Sequence, residues 1–171
     1  MEKSEINAKN ELRCCFTGHR PSKIKISEQD IIVTLEKEIR TAVKSGVKAF
    51  ITGMAQGIDI YAAEIVIKLR NEGFPLTLIA ASPFCGFERG WDVQWRERYY
   101  KVLKEANEVF FISSHYHKGC FQMRNEWMVN HSSQVIAVFS GEKGGTKNTI
   151  DYAKKKGILV KNILQKTTSE M

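Results

Sequence analysis

The sequence predicts an α/β fold: a three-layer sandwich with helices on both faces of a mostly parallel sheet. Strand-like and helix-like segments alternate along the whole chain, the pattern of strand–helix–strand units. The strand segments are short continuous apolar runs rather than alternating ones, as expected where both faces are covered. Glycines follow most of the helical periods, where a left-handed residue closes a helix cheaply. The 171 residues, 43% of them hydrophobic, suffice for one well-buried domain, and no linker, repeat or composition break divides them. The expected organisation is a flexible lead over 1–12, one domain over 13–165 and a flexible tail over 166–171.

The first strand reads at 13–17, around Cys14, Cys15 and Phe16. Ile31, Leu35, Ile39 and Val43 then recur at helical spacing, opened by Ser27 and Asp30 and stopped near Gly46. A second strand spans 48–52, and Ala62, Val66 and Leu69 mark a second helix ending near Gly73 and Pro75. The third strand covers 76–81, followed by a helix carrying Trp95, Tyr99 and Val102. After a fourth strand at 108–112, Met123, Trp127 and His131 give the stripe of a fourth helix. The fifth strand, 134–139, leads to a helix with Ile150 and Ala153 that stops at Gly157, and 158–160 form the last strand.

No apolar run approaches the roughly 20 residues that span a bilayer, and the polar, acid-containing first residues do not read as a secretory signal. Two of the four cysteines, Cys14 and Cys15, fall inside a buried strand, which is not a disulfide framework. A cytoplasmic location with no membrane partner is the expectation. The net charge of +7 suits nucleic acid, a phosphorylated small molecule or a solvated basic face. Lys154-Lys155-Lys156, Lys161 and Lys166 are expected to be such a face.

Sheets of this kind bind ligands beyond the carboxyl ends of their strands, so the residues after each strand are informative. After the second comes Thr52-Gly53-Met54-Ala55-Gln56-Gly57-Ile58-Asp59, a glycine turn opening a helix. Free amides at such a helix start suit a phosphate, with Asp59 placed to cap the helix or hold a ribose hydroxyl. Gly18-His19-Arg20-Pro21 follows the first strand and brings an imidazole and a guanidinium able to fork onto phosphate. Gly144-Gly145-Thr146 opens the last helix as a second anion site, without the spacing of a Walker A loop. Arg124 and Asn125 start the fourth helix and are placed to reach the cleft. Trp91 and Trp95 offer rings for a base, although aromatics at helical spacing ordinarily pack in a core. His115, His117 and Cys120 are zinc-type donors lacking a fourth ligand, so no metal is expected. Glu88, Asp92, Glu97 and Glu126 are available acids, but position selects none as catalytic.

Taken together, Thr17-Gly18-His19-Arg20-Pro21, the 52–59 turn, Met123-Arg124-Asn125-Glu126-Trp127-Met128 and Gly144-Gly145-Thr146 resemble the SLOG superfamily of Rossmann-like proteins. The superfamily is named for the Smf/DprA and LOG proteins. The nearest resemblance is to its small, uncharacterised YpsA-like branch, which also opens on a G-H-R motif, and it covers residues 13 to about 160. The resemblance implies a nucleotide-derived ligand (a nucleotide, ADP-ribose or an NAD-related molecule) at Gly18, His19, Arg20, Gly53, Met54, Ala55, Gly57, Asp59, Arg124, Asn125, Gly144, Gly145 and Thr146. It also implies a homo-oligomer. Two alternatives come from other branches. LOG proteins cleave nucleoside monophosphates; Arg124 and Gly145-Thr146 match their signature, while Asn148 and Thr149 stand where its glutamates would lie. DprA proteins bind single-stranded DNA and carry a similar glycine turn and Arg-Asn pair, many of them with extra flanking domains that are not expected here. Enzymatic activity is left unassigned, and no cofactor beyond the nucleotide-type ligand is expected.

Overall fold

A computed structural model describes residues 12–164; the lead at 1–11 and the tail from 165 lie outside the described residues, as does Lys166. The elements are β1 (Arg13–Gly18), α1 (Glu28–Lys44), β2 (Ala49–Thr52), α2 (Ile58–Asn71), β3 (Thr77–Phe84), α3 (Val93–Glu105), β4 (Glu108–Ser113), α4 (Cys120–Asn130), β5 (Gln134–Val138), α5 (Gly145–Lys155) and β6 (Leu159–Asn162). A single 3-10 turn, Pro21–Lys23, lies between β1 and α1. The six strands form one sheet in the order β4-β3-β2-β1-β5-β6, and every pairing is parallel.

Successive strand residues point to opposite faces, and the two cores show it. Cys14, Phe16, Phe50, Leu78 and Ile136 pack under α1, α2 and α3, whereas Cys15, Ile51, Ile79 and Val135 pack under α4 and α5. Cys14 and Cys15 are both fully buried, on opposite faces, and all four cysteines are free thiols. The chain winds β1 to β4 outward in one direction. It then returns through α4 to lay β5 against the other side of β1, with Gly18 opposite Val138. That return makes the carboxyl ends of β1 and β5 the switch point of the sheet.

Helix starts and stops follow local chemistry. The Ser27 hydroxyl accepts the Asp30 amide and caps α1, and Gly46, Gly73 and Gly157 close α1, α2 and α5 with positive φ. Three sequence expectations are corrected. β3 runs on through Ser82, Pro83 and Phe84, because β2 ends at Thr52 opposite Ala80 and leaves that stretch one neighbour, so the amide missing from Pro83 is tolerated. β4 is not covered on both faces: Val109, Phe110 and Phe111 are exposed on this edge strand. The buried residues of α4 are Cys120, Arg124, Met128 and Val129, not Met123, Trp127 and His131. Arg124 occupies a position that apolar periodicity assigns to the core, which is why the stripe misleads. Among the described residues no helix is long and apolar enough to cross a membrane.

Candidate functional site

A cleft of ≈ 310 Å³ opens at the switch point. Its walls are Gly18, His19 and Arg20 after β1, Ala55 and Asp59 at α2, Arg124 and Asn125 on α4, and Lys143 to Thr146 at α5. Four cationic side chains (Arg20, Lys23, Arg124, Lys143) face it against one carboxylate, that of Asp59. Low-dielectric walls bearing one sign of charge concentrate the opposite ion.

The 53–57 turn is held from inside. Asp59, 7% exposed, turns its carboxylate back to accept the Ala55 amide at 3.2 Å, and the Thr52 hydroxyl donates to the Asp59 carbonyl at 2.8 Å. Burial raises the Asp59 carboxyl above its ordinary range, and the Arg124 charge opposes the rise. Arg124, 6% exposed, donates through Nη1 to the Gly53 carbonyl and through Nε to Asn125 Oδ1 at 2.8 Å. Its guanidinium is lowered by burial and supported by Asp59. Two of its three nitrogens are thus committed, and Nη2 makes no hydrogen bond among the described residues.

Packing explains the glycines of this turn. A Cβ on Gly53 would lie 2.7 Å from Asp59 Oδ2 and 3.1 Å from Arg124 Nη1. One on Gly57, where φ is +93°, would lie 2.7 Å from Pro21 Cδ, and one on Gly18 would overlap Ile58. Met54 is fully buried in the main core, with φ of 64°. Gly53, Met54 and Gly57 therefore do not line the cleft, unlike the other ten residues singled out from the sequence. They lie behind the wall, where Asp59 and Arg124 pack against Gly53 and Pro21 against Gly57.

The start of α5 is different. Gly144 is its N-cap with no side-chain cap, and the first amide satisfied within the helix is that of Asn148, to Gly144 O at 3.0 Å. The preceding amides are the free donors that a helix start presents. Around Gly144 there is open space, and the nearest group to a Cβ on Gly145 is Asn125 Nδ2 at 3.9 Å. Thr146 lies in the first turn, buried and lining the cleft.

His19 completes this end. Its amide donates to the Val138 carbonyl at 3.2 Å, its ring lies 5.3 Å from Phe139, and its side chain is 6% exposed. Nε2 is buried without a partner among the described residues. Burial lowers the imidazole pKa, with Glu142 opposing and Lys23 adding to the shift.

Two aromatic wall residues escaped sequence reasoning: Phe87 and Phe121. Trp91 and Trp95, which the sequence offered for a base, pack elsewhere, Trp91 on Phe87 and Tyr99 and Trp95 on Tyr61 with the Arg98 guanidinium 4.6 Å above it. Neither phenylalanine lies at a periodic position, so the sequence held no signal for them. Of the zinc-type donors, Cys120 is buried at the start of α4 while His115 is exposed.

The family model YpsA, described as the YspA SLOG family, matches residues 14–165. The chain belongs to this SLOG family. A UPF0398 protein of Bacillus thuringiensis (strain Al Hakam) is 29% identical over 150 residues, covering 82% of each chain, and one of Bacillus cereus (strain G9842) is similar to the same degree. Among solved structures, DNA processing protein A of Helicobacter pylori superposes with a TM-score of 0.63 at 19% identity, covering 98% of this chain and 71% of that one. DprA of Streptococcus pneumoniae gives 0.63 at 19%, covering 93% of this chain; the SLOG protein spans about half, 52%, of its length. At such identities the likeness is one of fold, and it is the Rossmann-like sandwich built above.

Proposed function

We propose that this SLOG protein binds a nucleotide-derived ligand in the cleft, gripping its phosphate with the start of α5. The observation that carries the reading is the pairing of uncapped amides at Gly144, Gly145 and Thr146 with a buried, unpartnered His19 Nε2 in one cationic cleft. Arg20, Lys143 and Arg124 Nη2 supply charge-assisted donors to the same phosphate. Asp59, the one acid of the wall, is the acceptor for a ribose hydroxyl. A thermal-shift screen with AMP, ADP-ribose, NAD and a short oligonucleotide tests this, since a ligand of the native state raises its Tm. A rise with at least one of the three small molecules is expected; none with any of them rejects the reading.

A second reading is single-stranded nucleic acid, favoured by the superposition on H. pylori DNA processing protein A, a protein described as binding single-stranded DNA. Salt separates the two. Binding through several phosphates of a strand falls with a log–log slope of about −0.7 per phosphate neutralised, whereas a single nucleotide shows a shallow dependence. Tight binding that grows with strand length would favour the strand.

A further inference from the structure

The far end of the cleft from α5 is aromatic, and nothing in the phosphate-binding reading uses it. Phe87 comes from the segment after β3 and Phe121 from the first turn of α4, and their ring centroids lie 5.6 Å apart at 56°. Both are braced from behind. Phe87 meets Trp91 edge-on at 4.9 Å, and Trp91 in turn meets the buried Tyr99, whose hydroxyl bonds Ser82 at 2.8 Å. Phe84 touches Phe87, Phe121 and Tyr116 at 5.5, 6.2 and 5.7 Å. Phe121 is nevertheless 37% exposed, whereas Phe16, another aromatic of the cleft lining, is fully buried.

Sheet order places these groups in sequence along the carboxyl edge. The strands run β3-β2-β1-β5, so Phe87 follows β3 with Phe121 of α4 beside it, Asp59 follows β2, Gly18 ends β1 with His19 and Arg20 after it, and the α5 start follows β5. Three strand spacings, about 14 Å, separate the two outer strand ends. Side chains entering from each end shorten the interval between the aromatic and amide groups.

We infer that Phe87 and Phe121 form the platform for an unpaired base. The ligand then lies along the sheet edge with its base on these rings, its ribose at Asp59 and its phosphate at α5. This rests on the phosphate reading and sharpens it: a sugar phosphate fills only half of the site, and a nucleoside monophosphate fills it. A base face offered to a braced ring costs no reordering of the protein, and base–aromatic stacking of this kind tolerates different bases.

Calorimetric titration with AMP and with ribose 5-phosphate, the same molecule without its base, tests the platform. Wild type should bind AMP the more tightly. Phe121→Leu should weaken AMP by roughly 5- to 150-fold, the range seen for single stacking residues, and leave ribose 5-phosphate within about twofold. Phe87→Leu should act in the same direction, with its melting temperature checked because Phe87 also packs on Trp91. AMP affinity unchanged in Phe121→Leu, equal losses for both probes, or a wild type that holds both probes equally would overturn the platform and leave the phosphate site standing. A wild type that binds neither probe would remove the platform, and the phosphate reading beneath it would fall as well only if ADP-ribose and NAD also leave the melting temperature unchanged.

Discussion

Two glycine turns flank the cleft, both at the start of a helix, and their glycines serve opposite ends. At Gly53 and Gly57 a side chain would strike Asp59, Arg124 or Pro21. At Gly144 it would meet nothing within 4 Å. The first turn already has its anion, the Asp59 carboxylate on the Ala55 amide, and its cation, Arg124 on the Gly53 carbonyl. The second has neither. A helix start is therefore a binding site only when the chain has not filled it. The glycine turn with the richer motif is the internal support, and the plainer one is left open, as the proposed phosphate site requires.

The largest effect that this contrast predicts is at Arg124. Arg124→Leu leaves the Gly53 carbonyl without its donor and the buried Asp59 carboxyl without the nearby charge that opposes its burial, a loss of about 3 kcal/mol or more summed over two buried polar groups left unmatched. Urea unfolding should show it without any ligand; a midpoint close to wild type would mean that the 53–57 turn does not depend on Arg124. Gly57→Val comes next, at about 1–2 kcal/mol for the left-handed backbone and a further 1–3 kcal/mol for the overlap with Pro21. Nucleotide affinity should fall with it, since Pro21 carries Arg20 and His19. Gly46→Val, at φ of +108° in open space, should show the backbone loss alone and keep full affinity.

On the open side the effects move from stability to binding. Arg20→Ala should leave the melting temperature nearly unchanged and weaken a phosphorylated nucleotide by about 1.5–3 kcal/mol, read by calorimetry. An unaltered affinity would remove Arg20 from the phosphate's partners. The smallest effect concerns pH. The His19 pKa is lowered in the folded protein, so the unfolded chain binds more protons over the window just below the ordinary value near 6.5. The His19 contribution is complete above that value and is lost as pH falls through the folded one. His19→Gln should flatten the slope of stability against pH there. In wild type, a phosphate bound as proposed would accept from Nε2 and should raise the imidazole titration followed by NMR.

How much of this was legible depends on which forces act locally. The alternation of strands and helices, the Ser27 cap and the closing glycines depend on neighbours a few residues apart, and the sequence alone determined them, together with the switch-point edge where the loops meet. Ten of thirteen singled-out residues reach the cleft for that reason. What each residue does there was decided by tertiary structure. Nothing near Gly53 in the chain says that Arg124, 71 residues on, will use its carbonyl, or that Pro21 will lie against Gly57. Phe87 and Phe121 meet only because the segment after β3 and α4 come together in space, while the tryptophans pack as their helical spacing suggested, Trp91 behind Phe87 and Trp95 on Tyr61. A glycine turn read along the chain shows that the backbone bends. Whether its amides stay free is settled by side chains arriving from elsewhere, because burial leaves no polar group unmatched without cost.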